Sequence, residues 1–115
     1  MYVIGIDLGT QSLKGLLVDS TGKIIAEASC AHDPVYPNPA WAEQVVADWI
    51  HSFKSVVHQL LAGSGVAPEE IGTIGMDAIN DSVVAVDKDG KPLMNSIIWL
   101  DRRAEAEIRE IAARI

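Results

Sequence analysis

The chain has 115 residues, of which 49% are hydrophobic and 22% charged, a balance typical of a globular domain with a sizeable core. Its formal net charge of −7 argues against nucleic acid or an anionic membrane as a partner, because both would repel so acidic a surface. The single cysteine, Cys30, excludes an internal disulfide, and without a signal-like or bilayer-length apolar run the expected location is cytoplasmic.

The first predicted element is a β-hairpin whose turn is rich in polar groups. Residues 2–6 form a short β-rich run that places the carboxylate of Asp7 at a strand end, where it can hold Mg²⁺ directly or through water. Gly9 lets a phosphate oxygen approach the backbone and can adopt positive φ if the turn demands it. The groups that can contact phosphate oxygens follow: Thr10, Gln11, Ser12 and Lys14. We therefore predict a site for a magnesium-bound polyphosphate, with an ordinary hairpin turn as the alternative.

A third antiparallel strand and a long loop are predicted next. Residues 19–22 have turn chemistry, and residues 23–29 resume a β-compatible pattern. Three prolines within residues 33–41 preclude a helix and favour an extended loop.

The clearest periodicity predicts an amphipathic helix over residues 45–61, where apolar side chains recur at steps of three and four. His51 and His58 lie off the apolar stripe and are interpreted as solvent-exposed side chains, since no further ligand sits at metal-binding spacing. Residues 63–65 are expected to end the helix, and residues 67–70 to form a one-turn connector.

The last third of the chain is predicted to contain strands, a turn and a charged helix. Residues 71–77 read as a buried strand, which after a long helix should pair parallel to the first strand. A second strand is predicted at residues 83–86, a turn at 87–90, and an apolar run at 97–99. From residue 101 a charged helix is expected to run to the last residue without a stop signal, which suggests that the protein continues.

The order of these elements fits an α/β fold of the ribonuclease-H-like class, the half-domain shared by actin, sugar kinases and heat-shock ATPases. Such a half-domain has a mixed sheet, with three antiparallel strands followed by parallel strands, and flanking helices. This analogy supports nucleotide binding more than any particular reaction.

Four segments of the sequence resemble, in order and spacing, the N-terminal part of FGGY carbohydrate kinases: residues 5–12, 36–44, 74–77 and 95–103. The family includes xylulokinases, ribulokinases, gluconokinases and glycerol kinases. The resemblance implies that residues 1–115 form the N-terminal portion of the first, sugar-binding domain. The rest of that domain and the second, nucleotide-binding domain would then lie outside this chain.

The resemblance also implies ATP and Mg²⁺ as cofactors and a sugar or polyol as the substrate. The counterpart of Asp7 is the acidic residue associated with the metal and with catalytic geometry. The residues that match nucleotide-phosphate positions are Gly9, Thr10, Gln11, Ser12 and Lys14, the last of which is usually arginine in glycerol kinases. Because the general base of the family lies beyond this stretch, we expect the 115-residue chain alone to be inactive.

Substrate contacts are implied at Asn80, Asp81 and Trp99. The first two fall where glycerol kinases carry an Arg-Glu pair and xylulokinases a Met-His pair, so the sequence departs from both patterns. Asn80 and Asp81 have a competing explanation as turn formers, and Trp99 as a core residue. A pentulose of the xylulose or ribulose type is the favoured substrate, ahead of glycerol, erythritol-like polyols and gluconate.

Two other classes remain open. One is an ATPase of the same superfold that binds no sugar, and the other is a structural or interaction module with a coincidental turn. Homodimerisation of the full-length protein is a further expectation.

Overall fold

The computed structural model describes residues 1–115 and contains six β-strands and two α-helices. In chain order they are β1 (Tyr2–Leu8), β2 (Ser12–Val18), β3 (Ile24–Ala31), β4 (Glu43–Gln44), α1 (Val46–Ser64), a short 3₁₀ helix (Pro68–Glu70), β5 (Ile71–Ala78), β6 (Ser96–Ile97) and α2 (Glu105–Ala112). They divide between two units, Met1–Asp33 with Ala47–Ile79 and Pro34–Val46 with Asn80–Ile115.

The first unit is built on a four-stranded mixed sheet with the strand order β3-β2-β1-β5. The three N-terminal strands are antiparallel, and β5 pairs parallel to β1 after the crossover through α1, as the sequence predicts. The predicted turn between β2 and β3 is also confirmed, with Gly22 at φ 87° and its N–H donating to the carbonyl of Asp19.

Helix α1 supplies one side of the core of this unit. Its buried residues pack against apolar side chains of β1 and β2, and the resulting core cluster is Ile4, Ile6, Leu8, Leu13, Leu17, Val56 and Leu60. The predicted helix is confirmed but extends to Ser64, and Gly65 follows it at φ 70°. His51 and His58 are exposed, as expected. Neither helix of the chain has both the length and the apolar character needed to cross a bilayer.

The prediction that β5 is a buried strand is wrong. Seven of its eight residues are exposed, with Ile74 at 43% and Met76 at 61%. Strand β5 lies at the edge of the sheet with β1 as its one neighbour, whereas the core lies over β1 and β2. Apolar composition therefore identified the strand but not its environment.

The second unit contains a small antiparallel sheet that the sequence did not predict, in which Glu43 of β4 pairs with Ile97 of β6. The strand expected at residues 83–86 is wrong, because this segment forms only two isolated bridges, one from Val83 to Ile97 and one from Val86 to Pro92. Val86 stands opposite Pro92, which has no N–H to donate, so the pairing does not extend into a ladder. The turn of residues 87–90 between them is confirmed.

The boundaries predicted for the C-terminal helix are also wrong. Helix α2 begins at Glu105 and ends at Ala112. Its start is delayed because the carboxylate of Asp101 accepts the backbone N–H of Arg103, which fixes a non-helical turn before the helix. Strand β6 likewise covers only Ser96–Ile97 of the apolar run that continues to Trp99.

Candidate functional site

The predicted metal-binding carboxylate, Asp7, lies one residue before the end of β1 and is exposed. In the sheet register it stands directly opposite Lys14 of β2 on one side and Asp77 of β5 on the other. Residues directly opposite each other project from the same face of a sheet. The three charged side chains therefore line one shallow depression of about 560 Å³, whose floor includes Gly75.

Asp7 and Lys14 are available to a ligand, because neither takes part in an ion pair of the chain. Asp77, which the sequence analysis did not single out, accepts the backbone N–H of Ala78. No cluster of three or more metal-ligating side chains is present, so the chain does not form a complete cation cage. One or two carboxylates are nevertheless what Mg²⁺ uses when phosphates and water supply its other ligands.

The turn after β1 is closed by a hydrogen bond from the Gly9 N–H to the Ser12 carbonyl at 3.0 Å. Gly9 does not adopt positive φ, so the expected conformational freedom is not why a glycine stands there. The reason is space, because a Cβ on Gly9 would lie 3.1 Å from the Ser12 carbonyl oxygen. Within the turn Gln11 is exposed and Thr10 half-buried.

His32, directly after β3, contacts this turn and was missed by the sequence analysis. Its side chain is buried, with Nε2 2.9 Å from the Gly9 carbonyl oxygen and Nδ1 3.3 Å from the Ser52 hydroxyl on α1. Its backbone N–H donates to the Gln11 carbonyl at 3.0 Å. Neither motif nor periodicity marks this histidine, because its partners lie 23 and 20 positions away in sequence.

The predicted substrate residues belong to the second unit, and all three are exposed. Asp81 has φ 54°, the one positive value outside glycine, which agrees with the turn-forming explanation and leaves its carboxylate in solvent. Trp99 is 54% exposed, so core packing does not account for it. The antiparallel bridge between Val83 and Ile97 makes the segments carrying Asp81 and Trp99 neighbours, since each lies two residues from the bridge.

A charged network anchors the segment that carries Trp99. The guanidinium of Arg103 contacts the carboxylates of Glu43 at 2.7 Å and Asp101 at 2.8 Å, and lies 3.9 Å from the centre of the Trp41 ring. Asp101 also accepts the backbone N–H of Ala42 at 2.8 Å. These contacts hold the main chain after Trp99 to residues 42–43, and the pairing of β6 with β4 holds the main chain before it.

The carboxylates of this network remain ionised because Arg103 donates to both. Its hydrogen bonds lower the pKa of Asp101 to about 2 against the opposing effect of burial. Hydrogen bonds from Arg103, and then from Asn95, lower the pKa of Glu43. The same contacts raise the pKa of Arg103. Glu43, Asp101 and Arg103 lie in segments that resemble the family. No local pattern, however, predicts an ion pair between Arg103 and Glu43, which are 60 positions apart.

The sequence of the chain is similar to those of known carbohydrate kinases. The model of the FGGY family of carbohydrate kinases, N-terminal domain, matches residues 2–115. A glycerol kinase from Haloarcula marismortui is 32% identical over 111 residues, covering 96% of this chain and 22% of the relative. A xylulose kinase from Lactococcus lactis subsp. lactis is 33% identical over 114 residues, covering 99% and 23%.

Among solved structures, a xylulose kinase from Rhodospirillum rubrum superposes with a TM-score of 0.91 at 31% identity, covering 100% of this chain and 24% of its own. The chain thus spans less than a quarter of the length of these relatives. The superposition confirms the predicted fold class, α/β of the ribonuclease-H-like type with a mixed sheet.

Proposed function

The chain belongs to the FGGY family of carbohydrate kinases, and from this premise we propose that the full-length protein transfers the γ-phosphoryl group of ATP to a hydroxyl of a sugar or polyol. Residues 1–115 would form the N-terminal portion of its first, sugar-binding domain, with the second, nucleotide-binding domain outside this chain. Beyond the family, one observation carries the proposal: an exposed carboxylate and an exposed ammonium, Asp7 and Lys14, stand opposite each other next to a tight backbone turn.

Each residue of this group has a distinct task in the proposed reaction. When bound, Mg²⁺ would neutralise charge on the phosphates, and the carboxylate of Asp7 suits it as a direct or water-mediated ligand. Lys14 supplies a point charge to phosphate oxygens, and the turn of residues 9–12 supplies hydroxyl, amide and backbone donors. Charge developing on the transferred group is stabilised by donors that are already in place, which is how phosphoryl transfer is accelerated.

A pentulose of the xylulose or ribulose type is the substrate we favour, because xylulose kinases occur both among the curated relatives, at 33% identity, and among the solved structures, at a TM-score of 0.91. Trp99 offers a flat apolar wall, Asn80 a donor and an acceptor, and Asp81 an acceptor, a set that suits an uncharged polyhydroxylated ligand. Gluconate is less suited, since an anionic substrate gains nothing from the carboxylate of Asp81. Glycerol is the second candidate, supported by 32% identity to a glycerol kinase.

The experiment is an ADP-release assay on the full-length protein with D-xylulose, D-ribulose, glycerol, erythritol and gluconate. We expect sugar-dependent ADP release with the highest kcat/KM for a pentulose. Trp99→Ala should raise KM for that sugar by about tenfold while KM for Mg·ATP stays unchanged, and Leu100→Ala, one residue further on, serves as the matched control.

The possible results separate the alternatives. ADP release that no sugar stimulates would point to an ATPase of the same superfold, and a protein that does not bind Mg·ATP would be an interaction module. Highest kcat/KM on glycerol would correct the substrate but keep the reaction. A cytoplasmic location is part of the proposal, because ATP is the phosphoryl donor, and a homodimer remains a prediction that light scattering can check.

A further inference from the structure

His32 connects two parts of the first unit that the sequence keeps apart. Its imidazole reaches the Gly9 carbonyl of the turn and the Ser52 hydroxyl of α1, and its backbone N–H reaches the Gln11 carbonyl. We propose that His32 is a positioning residue that holds the turn of residues 9–12 in the shape that binds nucleotide phosphates, by tying it to α1. The inference rests on the proposed function, because it assigns that turn to phosphate binding.

The hydrogen-bond partners define which imidazole nitrogen carries the proton. A carbonyl oxygen can only accept, so Nε2 of His32 must donate to Gly9. In the neutral ring Nδ1 then accepts from the hydroxyl of Ser52, a side chain with 0% exposure. With both nitrogens hydrogen-bonded and His32 only 6% exposed, the imidazole has one orientation. Its hydrogen bond then fixes the direction of the Gly9 carbonyl in the turn.

The direction of the bonds matters for a phosphate. The chain has no cis peptide bond, so in every peptide plane the carbonyl and the following N–H point in opposite directions. His32 holds the carbonyls of Gly9 and Gln11, and therefore the N–H groups of Thr10 and Ser12 point away from it. Backbone N–H groups held in fixed directions at a tight turn are the usual means of cradling a phosphate.

Packing alone does not explain this residue. An apolar side chain of similar size would fill the same space, but it would leave the Gly9 carbonyl without its donor. Neither His51 nor His58, which lie exposed on α1, has a hydrogen bond of this kind, and they provide internal controls. His32 differs from them in making three hydrogen bonds, two to carbonyls of the turn and one to a hydroxyl of α1.

The test is calorimetric titration of the full-length protein with Mg·ADP, which needs no knowledge of the sugar. His32→Phe keeps an aromatic ring and removes both ring hydrogen bonds, so Kd should rise about tenfold, as expected for losing a buried hydrogen bond. His32→Gln keeps a donor near the position of Nε2 and should recover Kd to within about threefold of wild type. Ser52→Ala should weaken binding by about threefold, and His58→Phe should leave it unchanged.

The outcomes separate this inference from the function on which it rests. If the wild-type protein does not bind Mg·ADP, both are overturned. If the wild type binds but His32→Phe binds equally well, or His32→Gln is as weak as His32→Phe, the positioning role alone is overturned. Should His32→Phe fail to fold, Ser52→Ala decides: weaker binding supports the role, and unchanged binding contradicts it.

Discussion

Replacing Gly9 by alanine tests the geometry of the turn with a single methyl group. The added Cβ would lie 3.1 Å from the carbonyl oxygen of Ser12, whereas ordinary contacts begin at 3.4 Å. Relieving the contact requires the oxygen to move by about 0.3 Å, which can stretch the 3.0 Å hydrogen bond beyond the usual N···O limit of about 3.2 Å.

The expected cost follows from that hydrogen bond. A typical one contributes about 0.5–1.5 kcal/mol, and about 1.4 kcal/mol is a factor of ten in affinity. We therefore expect the Kd of the full-length protein for Mg·ATP to rise by about threefold to tenfold. Thermal stability should change little, because replacing glycine also stabilises a protein by about 0.4–1 kcal/mol through its unfolded state.

The assay is titration calorimetry with Mg·ATP beside a melting curve without nucleotide. Gly63→Ala is the matched control, since a Cβ there meets nothing within 4 Å. Unchanged affinity in Gly9→Ala would refute the claim that the closed turn holds phosphate. Equal losses in both variants would show that the effect is not specific to the turn.

Further variants test the packing of α1, the ion pairs of Arg103 and the activity of the 115-residue chain alone. Gly15→Ala should lower the free energy of unfolding by about 1–3 kcal/mol, measured by calorimetry, because its Cβ would lie 2.5 Å from Val56 on α1. The folded pKa of Asp101, about 2, lies below the ordinary 3.8, so its stabilising effect is complete above pH 3.8 and is lost toward pH 2. Urea unfolding across that range should show a steeper slope in wild type than in Asp101→Asn, in which the lowered pKa of Glu43 still contributes. The 115-residue chain alone should release no more ADP with a pentulose or polyol than its Asp7→Ala variant.

Local patterns in the sequence were sufficient for most of the first unit. Glycine turns, alternating apolar residues and a stripe at helical spacing determine the hairpin, β3 and α1, and each depends on neighbours within a few positions. The parallel pairing of β5 followed from the long crossover helix. Its burial did not, because burial depends on what covers an edge strand, which composition does not encode.

The second unit was predicted poorly because it is held together by pairings between distant residues. Strands β4 and β6 have two residues each, too few to show a period, and join segments about 50 positions apart. Arg103 reaches Glu43 across 60 positions. The start of α2 depends on this network as well, since Asp101 fixes the turn before the helix.

The candidate site likewise combines residues that local patterns predict with a residue that only a distant contact reveals. The residue types around the first turn indicated Asp7, Gly9 and Lys14, and the register places Lys14 opposite Asp7. His32 could not be found from the sequence, since its role depends on a tertiary contact to the Gly9 carbonyl.

The most direct test is a crystal structure of the full-length protein with Mg²⁺ and a non-hydrolysable ATP analogue. We expect phosphate oxygens at about 3 Å from donors of residues 9–12, and Mg²⁺ about 2.1 Å from the Asp7 carboxylate or separated from it by one water. Phosphates bound elsewhere, with this turn in contact only with solvent, would contradict it.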